Sequence, residues 1–310
     1  MAKFAVQEKD STMKIGYPCI NRTIRCKGDR TFRLKSYSER RLIDTVTNNL
    51  GCLLGILKFN VEHHILFFRI TSDLVPFASH PICQFDWPSY FKDQLLSIGT
   101  YIRSHDIRIS MHPGQYTILN TPDGRVLETS IKELQYHADL IDALGLDASA
   151  KIQIHVGGIY GHKDESIRRF IERYRSLDEA IRRILVIEND DRSYTVDDCM
   201  RIHMQTGVPI LFDVFHHELN CSGSSSTDAL ADITKTWQIY DGIPMVDYSG
   251  QQVGGLKVSH MESIDASHFQ HFLIATQRFD FDLMLEIKDK EMSALKAVGI
   301  ARKDERFFKG

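Results

Sequence analysis

Long apolar stretches are absent from this sequence. No run approaches the roughly 20 apolar residues that a helix needs to span a bilayer, and the first residues (MAKFAVQEKDSTMK) lack the apolar segment of a secretory signal. We therefore expect an intracellular protein, in the cytoplasm or nucleoid if its source is prokaryotic, with no membrane partner. At 43% hydrophobic and 25% charged content, the 310 residues can bury one large core or two modest ones, which excludes disordered and fibrous classes.

A strong charge of one sign and closely spaced pairs of cysteines are also missing. The net charge of −3 gives no global electrostatic case for nucleic acid, so a polyanion would have to bind a local patch or a bound metal. The 6 cysteines show no Cys-x-x-Cys spacing, which predicts neither a disulfide framework nor a zinc knuckle. We expect reduced thiols, with Cys52 and Cys199 as small packing residues on helices.

Two motifs that would point to other enzyme classes do not occur. No GxGxxG follows the first predicted strand, which argues against a Rossmann-type sheet. No serine or cysteine lies in a nucleophile elbow, so covalent catalysis by the protein is unsupported.

Short apolar runs typical of strands buried on both faces recur along the chain, with helical patterns between them. The runs are KIGYPCIN from Lys14, ILFFRITSD from Ile65, RISMHPGQ from Arg108, KIQIHVGG from Lys151, LVIEND from Leu185, PILFDVFHH from Pro209, LKVSHME from Leu256 and FDLMLEIK from Phe281. Eight alternations without a linker predict an α/β fold, a single (βα)8 TIM barrel over residues 14–300 with tails at 1–13 and 301–310. The active site of such a barrel lies at the C-terminal ends of the strands.

Capping signals place some of the outer helices. Ser36 and Glu39 are a candidate capping box for the helix that follows the first strand. Thr195 and Asp198 predict a second capped helix, which Gly207 would close.

Almost every predicted strand ends in a residue type that binds metal ions. These residues are His112, His155, Glu188, Asp213, His216, His260 and Glu286. Each alone could bond a loop or cap a helix, but so many imidazoles and carboxylates at one mouth would be costly to desolvate without cations. We therefore predict a metal cluster. Nitrogen and oxygen ligands without cysteine suit Mn²⁺ or Zn²⁺, and Glu188 is the best candidate to bridge two ions.

Other histidines are open to more than one interpretation. His80, in the loop PFASHP, could contact substrate or serve the structure. His217 should point away from His216 if the sixth strand continues through both. His268 could reach a third metal ion together with His216.

Six segments, taken together, resemble UV damage endonucleases. They are GYPCIN (Gly16 to Asn21), PFASHP (Pro76 to Pro81), SMHPGQY (Ser110 to Tyr116), IHVGGIYG (Ile154 to Gly161), IENDD (Ile187 to Asp191) and DVFHHELN (Asp213 to Asn220). The resemblance runs from Ile15 to Glu291 and implies a barrel similar to endonuclease IV with up to three divalent ions, often Mn²⁺. It implies nicking of damaged double-stranded DNA immediately 5′ to pyrimidine dimers and 6-4 photoproducts, leaving a 3′ hydroxyl and a 5′ phosphate.

The resemblance also implies roles for individual residues. Its metal ligands are the strand-end set together with His268. Gln115 and Tyr116 would probe the duplex and Tyr17 and Asn21 would line the lesion side, with His80 a further candidate DNA contact.

The seventh strand departs from the family pattern. The family commonly carries Lys-x-His there, with a lysine that is sometimes carboxylated, but here two residues separate Lys257 from His260. Strict alternation would put these two side chains on opposite faces unless a bulge intervenes. The role of Lys257 as a metal ligand therefore stays open. Glu188 and Lys257 are the two candidate catalytic residues.

Four functions remain to be separated. The first is a monomeric UV-lesion endonuclease, in which metal-activated hydroxide attacks the phosphodiester. The others are an abasic-site endonuclease, a metal-dependent sugar isomerase on the same barrel, and a DNA-binding barrel without activity. A basic run beside the first strand is a solvated loop or a phosphate contact, and it consists of Arg22, Arg25, Lys27, Arg30, Arg33 and Lys35.

Overall fold

Eight parallel strands close into a barrel in this computed structural model, which describes residues 12–252, 254 and 258–310. Each strand pairs with the next along the chain, and the eighth returns to pair with the first. The strands are β1 (Ile15–Pro18), β2 (Phe67–Ile70), β3 (Arg108–Met111), β4 (Lys151–His155), β5 (Leu185–Glu188), β6 (Ile210–Asp213), β7 (Met245–Tyr248) and β8 (Asp282–Leu285). The predicted (βα)8 TIM barrel is confirmed.

Helices follow the strands and cover the outside of the barrel. The α-helices are α1 (Glu39–Glu62), α2 (Trp87–Tyr90), α3 (Lys92–Ser104), α4 (Gly124–Ala143), α5 (Lys163–Ser176), α6 (Glu179–Arg182), α7 (Val196–Thr206), α8 (Val214–Leu219), α9 (Ser226–Ile233), α10 (Ala266–Ala275) and α11 (Glu291–Ala301). Short 3-10 turns lie at Leu34–Ser36, Ser72–Leu74, Thr234–Thr236 and Ile239–Asp241. None of the helices among these described residues is long and apolar enough to cross a membrane.

The interior of the barrel has an apolar layer, with polar side chains nearer the C-terminal mouth. Side chains on one face of each strand pack against the helices, and those on the other face fill the barrel. An apolar plug of six residues closes the interior: Phe67, Val186, Leu211, Trp237, Met245 and Met284. The next interior positions toward the C-terminal ends of the strands are polar, so charged groups meet at that end above an apolar floor.

Two helix predictions have different outcomes. The capping box of Thr195 and Asp198 at the start of α7 is confirmed, and Gly207 ends the helix with φ 74°. At α1 the prediction is wrong, because Ser38 caps the helix by accepting from the backbone N–H of Arg41. The segment that contains Ser36 forms a 3-10 turn instead.

The seventh strand was predicted in the wrong place. It is Met245–Tyr248, which pairs with both β6 and β8, and not the run from Leu256. His260 instead lies in the following loop, where it forms an antiparallel bridge with Gln251. Charged Asp247 interrupts the short run MVDY, so hydrophobicity alone favoured the later segment. Lys257 lies outside the described residues.

The end of β6 also differs from the prediction. The strand stops at Asp213, whose side chain accepts from the backbone N–H of His216 and caps α8. His216 and His217 therefore lie on a helix, where neighbouring residues diverge by about 100°. His217 is buried with Nε2 3.1 Å from the Ser224 carbonyl oxygen, away from the mouth.

A disulfide corrects the expectation of reduced thiols. Cys26, in the loop after β1, is bonded to Cys52 on α1, with their Cα atoms 5.8 Å apart. The pairing depends on the loop folding back over the helix, which residue spacing does not reveal. Cys199 is buried and free, as expected of a packing residue.

The residues after α11 pack against the barrel. Phe307 is buried and pairs with Met13 in a parallel bridge just before β1. The Arg306 guanidinium donates to the carbonyl oxygens of Thr276, Phe279 and Leu273. Part of each segment assigned to a tail thus contributes to the closed fold.

Candidate metal centre

Three strand ends bring a first ligand group together. His155 and Glu188 are register partners at the ends of β4 and β5, and His112 directly follows β3. Glu188 Oε1 lies 3.3 Å from His112 Nε2 and 2.8 Å from His155 Nε2. Because one carboxylate oxygen meets two imidazole nitrogens, these atoms can surround a single cation.

Carboxylates form a second group beside the first. Asp213, Asp247 and Glu286 each place an oxygen within 4.8 Å of the others. Two histidines flank this group: His216 Nδ1 is 3.4 Å from Asp213 Oδ2, and His260 Nε2 is 3.8 Å from Glu286 Oε2.

The histidine rings connect the two groups. Ring centroids are 5.4 Å apart for His112 and His155, 5.8 Å for His155 and His216, and 6.5 Å for His216 and His260. The structure thus brings all seven strand-end candidates to one mouth. His260 arrives from the loop after β7 and His216 from α8, although the sequence placed both at strand ends.

Electrostatics in the first group favour ion pairs between imidazole and carboxylate. Burial lowers the pKa of His155, but the Glu188 carboxylate outweighs it and raises that pKa to about 9. Burial also raises the pKa of Glu188, yet His155 and His112 together hold it well below its usual range. Glu188 is therefore held as an anion.

The second group is less compensated. Burial raises the pKa of Asp213 to about 7, because the nearby cationic charge does not offset its desolvation. Glu286 differs: burial raises its pKa, but the guanidinium of Arg69 outweighs this and holds it at about 2. A divalent cation would relieve the desolvation cost at Asp213.

The donor set fits a divalent metal ion. Nδ1 of His112, His155 and His260 is buried and has no hydrogen-bond partner among the described residues, while Nε2 of each faces a carboxylate. Neither ligand group contains a thiol. Imidazole nitrogen with carboxylate oxygen suits Mn²⁺ or Zn²⁺.

Two other candidate residues lie away from the groups. His268 is on α10, with Nδ1 2.6 Å from the Tyr248 hydroxyl, and the Tyr248 ring packs against Phe269 on the helix side of β7. His80 is exposed, and its Nδ1 accepts from the backbone N–H of Ile82. The structure brings neither residue into a ligand group.

The four lesion-binding candidates separate into a buried pair and an exposed pair. Tyr17 is fully buried, and its hydroxyl donates to Asn60 and accepts from Asn21, which is also buried. Tyr116 is 79% exposed, and the neighbouring Gln115 is exposed as well. Gln115 lines a cleft of about 370 Å³ that also includes His112 and His155, so it lies next to the first ligand group.

Three residues of the centre were missed in the sequence. They are Arg69 on β2, Gln153 on β4 and Asp247 on β7, all of which face the barrel interior and bond to one another or to the ligands. The available signal for Gln153 was its position two residues before His155, which places both side chains on the same face of β4. Asp247 was missed because its strand was misplaced.

The fold and the site define a class of protein, namely a TIM barrel with a candidate divalent-metal centre at its C-terminal mouth. The chain belongs to the UV-endonuclease UvdE family, whose model matches residues 13–303. This confirms the resemblance seen in the motifs.

Individual relatives agree with this assignment. A UV DNA damage endonuclease of Clostridium perfringens (strain 13 / Type A) is 39% identical over 290 residues, which cover 92% of this chain and 70% of that protein. The crystal structure of SacUVDE superposes with a TM-score of 0.90 and 44% identity, covering 94% of this chain and 98% of that one. Endonuclease IV from Thermus thermophilus, with a TM-score of 0.52 and 14% identity over 81% of this chain and 93% of that one, shares the fold.

Proposed function

We propose that this chain hydrolyses the DNA phosphodiester immediately 5′ to UV lesions, namely cyclobutane pyrimidine dimers and 6-4 photoproducts, leaving a 3′ hydroxyl and a 5′ phosphate. One observation carries the proposal: a continuous set of histidines and carboxylates lies beside the exposed Gln115 and Tyr116 in a chain of the UvdE family. The named relative and SacUVDE support the choice of UV-damaged DNA as substrate.

We propose that the two ligand groups together hold up to three divalent ions. His112, His155 and Glu188 would hold one ion, and Asp213, His216, His260 and Glu286 would hold the others. When bound there, Mn²⁺ or Zn²⁺ would supply Lewis acidity that activates water near neutral pH and positive charge that neutralises the phosphate. Lys257 and His268 have no part in this proposal.

Protein groups orient the centre and the DNA. Glu188 faces the first group with Oε1 and accepts from Gln153 at 2.7 Å with Oε2, which sets the plane of its carboxylate. The exposed ring of Tyr116 can insert beside a displaced base, because aromatic faces stack on bases. The side chains of the basic run are exposed next to β1, where they can meet backbone phosphates.

A nicking assay on matched duplexes tests the proposal. Three duplexes of one sequence carry a pyrimidine dimer, an abasic site or no lesion, and the purified protein is supplied with Mn²⁺. We expect a nick 5′ to the dimer. Cleavage confined to the abasic site would assign the chain to abasic-site repair, and cleavage of no duplex would reject an endonuclease.

The variant Glu188→Gln tests the role of the centre in the same assay. It should reduce nicking by about 10²-fold or more, because it removes the anion shared by two histidines. The affinity of the variant for the duplex with the pyrimidine dimer, measured by fluorescence anisotropy, should stay close to that of the unmodified protein. Glu128→Gln, an exposed substitution on α4, is the matched control and should nick normally.

A further inference from the structure

A chain of hydrogen bonds joins the two ligand groups, and it runs through Asp247, the carboxylate at the base of the second group. Arg69 Nη2 donates to both oxygens of Asp247, at 2.8 and 2.7 Å, and Arg69 Nη1 donates to Glu286. Gln153 Nε2 donates to Asp247 Oδ2 at 2.8 Å and to Glu188 Oε2 at 2.7 Å. An unbroken path therefore leads from Glu286 through three side chains to Glu188.

These three side chains cannot touch DNA. Asp247 and Gln153 have no exposed surface and Arg69 has 3%, and all three project into the barrel from β7, β4 and β2. Any effect they have on the reaction must therefore pass through Glu188 and Glu286. They lie at the level between the apolar plug and the mouth.

Asp247 holds the middle of this chain rigidly. Its carboxylate accepts three hydrogen bonds, two of them from a guanidinium that approaches both oxygens. The guanidinium of Arg69 lies between Asp247 and Glu286 and donates to both carboxylates. Gln153 likewise bonds to both Asp247 and Glu188.

Stability alone does not explain such an arrangement. Burying an ion pair costs desolvation energy that its attraction often only balances, so apolar residues of similar volume would serve the barrel as well. Orientation is what these groups add, since bonds to metal-binding carboxylates from surrounding residues fix how those carboxylates point.

We propose that Arg69 and Gln153, joined through Asp247, are positioning residues that hold Glu188 and Glu286 at a set separation and orientation for divalent cations. This inference rests on the metal centre of the proposed function. It concerns neither substrate recognition nor the identity of the ion.

Two variants break the chain at different points without leaving an isolated buried charge. Gln153→Met removes both amide bonds at similar volume, and Arg69→Lys keeps the charge but loses the fork that reaches two carboxylates. Ser110→Ala is the matched control, because Ser110 is also buried on the inner face of a strand and its hydroxyl has no partner among the described side chains and backbone. Thermal unfolding in EDTA reports whether each variant folds.

Titration with Mn²⁺ by calorimetry, well below the unfolding temperature, is the primary measurement. Each of the two variants should bind Mn²⁺ about 10–100-fold more weakly, as is usual when groups that orient metal ligands are removed. Their double variant should lose less than the product of the single effects, because both interrupt one path. Excess Mn²⁺ should restore nicking by Gln153→Met, and Ser110→Ala should match the parent protein throughout.

The outcomes separate this inference from the function on which it rests. Mn²⁺ affinities equal to that of the parent in folded Gln153→Met and Arg69→Lys would overturn the positioning role while leaving the centre in place. Fully multiplicative losses in the double variant would overturn the single path. If the parent protein itself bound no Mn²⁺ or Zn²⁺, the proposed metal centre would fail.

Discussion

Lys290 adopts a backbone conformation that side chains other than glycine rarely occupy, with φ 56° and ψ −117°. It precedes α11 at the end of the loop that begins with Glu286, and burial lowers its pKa. Such strain costs on the order of 1–3 kcal/mol and concentrates at functional sites. Glycine would relieve it, since no Cβ then opposes the positive φ.

We predict that Lys290→Gly raises the free energy of unfolding by about 1 kcal/mol. Lys290→Ala, which keeps a Cβ, should give no such gain and separates strain from the loss of charge. Urea denaturation of the three proteins checks this. Equal stability of the glycine and alanine variants would show that the backbone at this position is not strained.

The imidazole of His155 makes the stability of the metal-free protein depend on pH. Its folded pKa of about 9 exceeds the usual value near 6.5, so its contribution is complete below pH 6.5 and is lost as pH rises through 9. After a discount for its partial exposure, we expect EDTA-treated protein to lose about 1–2 kcal/mol between pH 7 and 9.

Unfolding of the parent and of His155→Gln at both pH values checks this prediction. The glutamine variant should lose less stability over the interval, because it has no group there to titrate. Mn²⁺ should bind more tightly at pH 9 than at pH 7, since the ion competes with the proton on His155. The same loss of stability in both proteins would contradict the assignment to His155.

At the scale of elements, strand ends and helix starts share residues. Asp213 ends β6, caps α8 through the backbone N–H of His216 at 2.7 Å, and offers an oxygen to the second ligand group. Because the cap sets where α8 begins, it also places His216 over the mouth. One carboxylate thus determines both a helix boundary and a ligand position.

Substitutions at Asp213 should separate these roles. Asn is as good an N-cap as Asp, so Asp213→Asn should fold with nearly unchanged stability but lose about tenfold or more in Mn²⁺ affinity. Asp213→Ala should lose affinity and about 1 kcal/mol of stability. Denaturation in EDTA and Mn²⁺ titration measure the two effects, and unchanged Mn²⁺ binding by Asp213→Asn would remove Asp213 from the ligand set.

For the whole molecule, the distribution of charge matters more than its sum. The net charge is −3, yet the exposed basic run lies next to the C-terminal end of β1, where the mouth opens. The disulfide between Cys26 and Cys52 ties this loop to α1. A local patch on an acidic protein should bind DNA with a strong dependence on salt.

The double variant Arg25→Ala with Arg30→Ala removes two charges of the basic run. We predict that it binds DNA with a pyrimidine dimer more weakly, and that the magnitude of the slope of log affinity against log salt falls by up to about 2. Arg302→Ala with Lys303→Ala is the matched control, because both residues are exposed after α11 and should lie at the opposite end of the barrel. Anisotropy titrations over a range of NaCl concentrations measure both. Equal slopes for the two double variants would place DNA elsewhere.

The local pattern of apolar and polar residues was enough to predict most of the strands and of the candidate site. Seven of the strands and the closed barrel follow from short apolar runs that end in polar residues. The same runs predict five of the candidate ligands at the mouth, namely His112, His155, Glu188, Asp213 and Glu286. The reason is that a buried strand has a local signature, and the barrel directs every strand end to one mouth.

Only the tertiary structure decided the remainder. Strand pairing identified β7, register brought Asp247 between Arg69 and Gln153, and chain reversal joined Cys26 to Cys52. These features depend on contacts between residues far apart in the chain, and hydrophobic periodicity carries no information about which distant residues meet. The sequence alone thus determined the barrel and most of the candidate ligands at its mouth, whereas tertiary contacts decided how those side chains are held.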